Sequence, residues 1–130
     1  MINFKLVPYK WQQNMDIIMQ NVNLCKLEFR KPGVIQFDFL DSINGDFYKT
    51  IFCHNVWKYS EENRFDKGEE FAIFICDIRS AKLTGVEIKG AFNYLRYGFD
   101  IPESDEYTLL CMDSGEVSID LICETVEVVD

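Results

Sequence analysis

The sequence predicts an all-β domain: an antiparallel sandwich or open barrel of about seven to nine short strands, with one or two short helices. Three observations carry this. Apolar residues alternate with polar ones over most of the chain, turn-forming residues interrupt the alternation at short intervals, and aromatic residues, which pack well across strands, make up 15% of the composition. At 130 residues the chain forms one domain, 1–130, large enough to remove roughly two thirds of its unfolded surface from water without disulfides or metal.

From Trp11 to Val22 the pattern fits two structures. Trp11, Met15, Ile18, Met19 and Val22 fall at helical spacing, whereas Met15, Ile17 and Met19 fit one face of a strand. The β-rich surroundings favour the strand, and an α+β fold with a helix near residues 11–22 is the alternative. Next, Cys25, Leu27 and Phe29 alternate with Lys26, Glu28 and Arg30, and Ile35, Phe37 and Phe39 alternate with Gln36 and Asp38. Between them, Lys31-Pro32-Gly33 suits a type II turn with glycine at positive φ, so a hairpin is expected. Ile43-Asn44-Gly45-Asp46 turns the chain again into a strand from Phe47 to Cys53 that runs on past His54 to Val56 and Trp57.

Glu61 to Gly68 is a polar loop. Phe71 to Cys76 is apolar at both parities, which predicts a strand covered on both faces. Val86 and Ile88 suggest a short strand, and Ala91, Phe92 and Leu95 place a turn or two of helix between Gly90 and Gly98. An acidic loop, Asp100 to Glu106, leads to the central pair of runs, Tyr107 to Met112 and Val117 to Val128, joined by Asp113-Ser114-Gly115-Glu116 as a hairpin. The buried parity of the last run switches from odd to even, which predicts a bulge or a change of neighbour near Ile122 or Cys123.

The chemistry expected of such a chain is binding rather than catalysis. Phosphate-loop, dinucleotide-binding and nucleophile-elbow motifs are absent from the sequence. Cys53 and His54 are adjacent, but neighbours in a strand point to opposite faces and cannot act as nucleophile and base. One histidine and no Cys-x-x-Cys pair argue against zinc, and the carboxylate clusters lack the ligand ladder of a calcium loop. No cofactor or metal is expected. The five cysteines, scattered and odd in number, read as buried free thiols in a reducing compartment. The absence of a signal-peptide-like or membrane-spanning apolar stretch adds to the expectation of a cytoplasmic protein.

A net charge of −9, from 22 acidic and 13 basic residues, disfavours nucleic acid and anionic membranes and favours a partner with a basic surface. Two carboxylate-rich segments are the candidates for that contact: Glu61, Glu62, Asp66, Glu69 and Glu70, and then Asp100, Glu103 and Asp105. Tyr94, Arg96 and Tyr97 are the aromatic and arginine anchors between them.

The chain as a whole resembles the small acidic immunity proteins that bacteria encode beside polymorphic or contact-dependent toxins. The likeness lies in the hairpin Leu24 to Leu40, the stretch Trp57-Lys58-Tyr59-Ser60-Glu61-Glu62 and the ending from Glu106 to Cys123. The resemblance implies a non-catalytic inhibitor that binds a cognate toxin, such as a nuclease, and blocks its active site. The alternatives are a small-ligand-binding barrel or enzyme, using a cavity lined by His54 and tyrosines, and a homo-oligomeric accessory protein pairing through a strand edge.

Overall fold

A computed structural model describes residues 15–63, 73–114 and 117–130. Among these, six strands form an antiparallel sheet that closes on itself: β1 (Asp16–Lys31), β2 (Val34–Asp41), β3 (Phe47–Asn63), β4 (Ile73–Thr84), β5 (Glu106–Asp113) and β6 (Val117–Val129). Around the ring the order is β1-β2-β3-β6-β5-β4, and β4 pairs back onto β1. A single described helix, α1 (Val86–Tyr94), links β4 to β5. The all-β class is as expected. The strands are fewer and longer because the expected breaks are bends within strands, and because Val86 and Ile88 belong to the helix instead of a strand.

The bends sit at two asparagines. Asn21 and Asn55 have φ of 54° and 55°, a left-handed conformation that asparagine adopts more readily than most side chains. At Asn21 the inward-facing residues of β1 change from Met19 to Val22, while on the paired β4 they change from Ile78 to Ile75. At Asn55 the inward set of β3 changes from Cys53 to Val56, and that of β6 from Val126 to Cys123. The parity switch expected near Cys123 is therefore shared by both strands of the pair. The extra residue in this register is Trp57, on β3. Long strands bent in this way keep one apolar row turned inward over 16 or 17 residues.

Two cores result. The barrel interior holds Met19, Leu24, Ile35, Phe37, Phe39, Ile51, Ile75, Leu110, Ile119 and Leu121, with the Phe37 and Phe39 rings 6.5 Å apart. A second core lies outside the barrel, where α1 covers β4, β5 and β6. Ile88, Ala91, Phe92 and Leu95 recur at helical spacing and pack on Leu83, Tyr107, Leu109 and Ile122. The rings of Tyr97 and Tyr107 meet Phe92 edge-on, with centroids at 4.8 and 5.3 Å. The helix begins one turn before the expected segment. Glu87 accepts the Thr84 N–H, and the helix ends with Arg96 at φ 61° and the Tyr97 N–H donating to Phe92 O at 3.0 Å. This is the Schellman arrangement, with arginine where glycine is usual.

Each expected hairpin forms. In the β1–β2 turn Gly33 takes φ 82°, and in the β2–β3 turn Asp41 Oδ1 accepts the N–H groups of Ile43 and Asn44. β5 and the first half of β6 are buried on both faces, being shared by the two cores. That coverage was expected instead for 71–76. Of those residues Phe71 and Ala72 lie outside the described residues, and Phe74 and Cys76 are exposed because α1 does not reach them.

The thiols depart from expectation in the same way. All five cysteines are free, and Cys53, Cys111 and Cys123 are buried, but Cys25 and Cys76 are exposed. Cys25 falls at a register shift of β1, and Cys76 stands opposite the bend at Asn21.

Candidate functional site

Four adjacent strands carry a polar cluster on the outside of the barrel, beyond the last turn of α1. Register aligns Asp77 of β4 with Asp113 of β5, Asp113 with Ser118 of β6, and Ser118 with Glu62 of β3. The neighbouring row runs Arg79, Cys111, Asp120, Ser60. Antiparallel partners share a face, so these side chains form two rows of one surface.

The two rows hold four carboxylates and one cation. Arg79 lies 3.4 Å from Asp77, which also accepts from Gln20 at 2.9 Å, and Ser118 donates to Asp113 at 3.3 Å. Asp120 is 7% exposed. Burial pushes its carboxyl up to about 6; the hydrogen bond with Cys111 works against that, and the charges of Asp113 and Glu62 add to it. Asp113 is raised as well, chiefly by burial, with Asp77 contributing. Tyr94, at the end of α1, reaches this cluster: burial, then Asp120, Cys111 and Glu62, push its phenol up to about 12. The Cys111 thiol is held well above its ordinary value by burial and by Asp120, which makes it a poor nucleophile. The surface offers an excess of hydrogen-bond acceptors and negative charge around one phenol, a chemistry suited to lysine and arginine side chains.

The anticipated site residues divide. Glu62 and Tyr94 come together here. Glu61 does not join them: it follows the inward parity of Tyr59 and Ile119 at the barrel rim, where it accepts from the Tyr59 hydroxyl at 2.5 Å. Asp66, Glu69 and Glu70 lie outside the described residues. Arg96 is exposed at the helix end, and Tyr97 is half-buried against Phe92. Asp100, Glu103 and Asp105 are exposed along the connection to β5, which is tied down by the Tyr107 hydroxyl donating to Pro102 O at 2.7 Å. Asp77, Asp113 and Asp120 were not anticipated. The alternation of β6 does put Asp120 and Ser118 on one face, but nothing local says that β4 and β5 add carboxylates beside them.

Cys53 is buried inside the barrel while His54 points outward to Glu127 at 3.1 Å, so the two do not converge. Among the described residues no group of three or more His, Cys, Asp or Glu side chains is arranged to hold a metal ion, and no helix is long and apolar enough to cross a membrane.

Fold and surface together define a small closed antiparallel β-barrel with one covering helix and an acidic flank. A family model described as "-like:-like" matches residues 17–130, and the chain belongs to that family. The fold is similar to that of an uncharacterized protein from Neisseria gonorrhoeae whose crystal structure has a TM-score of 0.61, at 22% identity, over 88% of this chain and 95% of that one. No curated protein matches the sequence.

Proposed function

We propose that this protein is a non-catalytic inhibitor of the bacterial immunity type, which binds a basic toxin and blocks its active site through the acidic flank of the barrel. The observation that carries the reading is the placement of Glu62, Asp77 and Asp113 across hydrogen-bonded strands around the buried Asp120, with Tyr94 at their edge. Strands hold charges in fixed positions at little further entropic cost, and a net charge of −9 steers a basic partner toward the surface. A nuclease toxin fits, since its phosphate-binding groove is cationic and carboxylates compete for it. The exposed carboxylates Asp100, Glu103 and Asp105 lie on the connection that enters β5 at Glu106, the end of the strand away from Asp113, and form a second acidic patch.

The experiment takes the product of the gene next to this one and measures its affinity for the full chain by calorimetry at low and high salt. The wild type is compared with Glu62→Lys and, separately, with Glu103→Lys combined with Asp105→Lys. Tight binding that falls steeply with salt, weakened at least tenfold by Glu62→Lys, supports the reading. Binding that neither variant changes sinks it.

A further inference from the structure

On a different part of the molecule, the turn joining β1 to β2 and the middle of β3 enclose an open groove of about 540 Å³, within the roughly 300–1,000 Å³ of small-molecule sites. We infer that this groove binds a small amphipathic anion, an aromatic or branched apolar body carrying one acidic head. Its walls are Phe29, Val56, Trp57 and Tyr59, and the charged residues among its lining are Lys31 and Lys58. None of its lining residues is acidic, and the two carboxylates at its edge, Glu61 on the Tyr59 hydroxyl and Glu124 on the Trp57 indole, are each already hydrogen-bonded. Among the described residues Lys31 and Lys58, like Lys89 and Arg96 elsewhere, have no carboxylate partner, whereas Lys26, Arg30, Lys49, Arg79 and Lys82 are each paired. Two unneutralised cations beside an apolar surface complement an anion with an apolar body.

The groove is also preformed. Gly33 at φ 82° brings the turn against β3, where its carbonyl accepts the Val56 N–H at 2.9 Å. Phe29 stands edge-on to Tyr59 at 5.4 Å yet is 63% exposed, and Trp57 is 42% exposed. Trp57 is the extra residue in the β3–β6 register, and Glu124, outside the groove lining, accepts from its indole N–H and from Asn55, both at 3.4 Å. The exposed rings therefore have fixed positions, which lowers the entropic cost of binding.

The probes are 8-anilinonaphthalene-1-sulfonate and its uncharged analogue N-phenyl-1-naphthylamine, titrated by fluorescence into the full chain. The indole N–H signal of Trp57 is followed by NMR and assigned with Trp57→Phe. Saturable one-to-one binding of the sulfonate is expected, shifting the Trp57 signal and exceeding the affinity of the neutral analogue. Lys31→Gln combined with Lys58→Gln, the first exposed and the second half-buried, should weaken the sulfonate roughly five- to tenfold and leave the neutral probe unchanged. Glu62→Lys, in the acidic flank, should change neither. No saturable binding, an unmoved Trp57 signal, or equal affinity for the two probes would overturn the inference.

Discussion

Asp120 and Cys111 face each other across the β5–β6 ladder, both buried, with the carboxylate and the thiol hydrogen-bonded where α1 ends. A carboxylate in that position is costly when ionised. Its folded pKa of about 6 lies above the roughly 3.9 of an unfolded aspartate, so the folded state holds the proton more tightly. The stabilising contribution of Asp120 is therefore complete below about pH 4 and is lost as pH rises through about 6. Asp113, Glu62, Tyr94 and Cys111 face the same group. Asp120→Asn should be more stable than wild type at pH 7, by roughly 1–3 kcal/mol, and nearly equal to it at pH 4. Urea unfolding at both pH values measures this, and a difference independent of pH would contradict it.

The two bent strands depend on asparagine backbone geometry. Asn55→Ala and Asn21→Ala should each cost about 1–2 kcal/mol, because a Cβ-bearing residue without a local polar side chain resists the left-handed region. Glycine at either position should fall within about 0.5 kcal/mol of wild type. Chemical denaturation of the four variants separates backbone strain from loss of side-chain contacts.

On the opposite flank a polar chain crosses three strands. Arg30 donates to Gln36 at 2.7 Å, Gln36 to Asp38 at 2.9 Å, and Thr50 to Asp38 at 2.7 Å. Gln36 is almost fully buried, so Asp38→Ala strands its amide and should cost about 1–3 kcal/mol in thermal or urea unfolding. Asp38→Asn keeps an acceptor and should cost less.

The outer core rests on Phe92. Phe92→Ala removes a fully buried ring that meets two tyrosines and should cost about 3–5 kcal/mol. Because α1 is held chiefly by this core, hydrogen exchange of its amides should rise more than that of the barrel strands. Uniform acceleration throughout the chain would instead make helix and barrel one cooperative unit.

How far the chain could be read from local pattern depended on what each residue packs against. The rows Ile35, Phe37, Phe39 and Val117, Ile119, Leu121 are legible because a strand has period two and one face of each enters the barrel. The turn at Gly33 is legible because its conformation demands glycine. Phe74 and Cys76 are exposed against the expectation of a doubly covered strand, because in the sequence an apolar residue turned outward looks the same as one that α1 covers. The polar run from Glu61 predicts a loop that presents Glu61 and Glu62 together, but both belong to the extended β3 and take opposite faces.

The sequence by itself determined the class, since alternation, turn residues and aromatic content are local properties that leave few folds open. It also determined the sign of the surface, because burial is too expensive for most of the 22 carboxylates. Closure of the ring and the seating of α1 were decided only by tertiary structure. So was the gathering of Asp77, Asp113 and Asp120 beside Glu62 and Tyr94. Those outcomes depend on which strands become neighbours, and that choice is settled by packing between residues far apart in the chain, which no local period records.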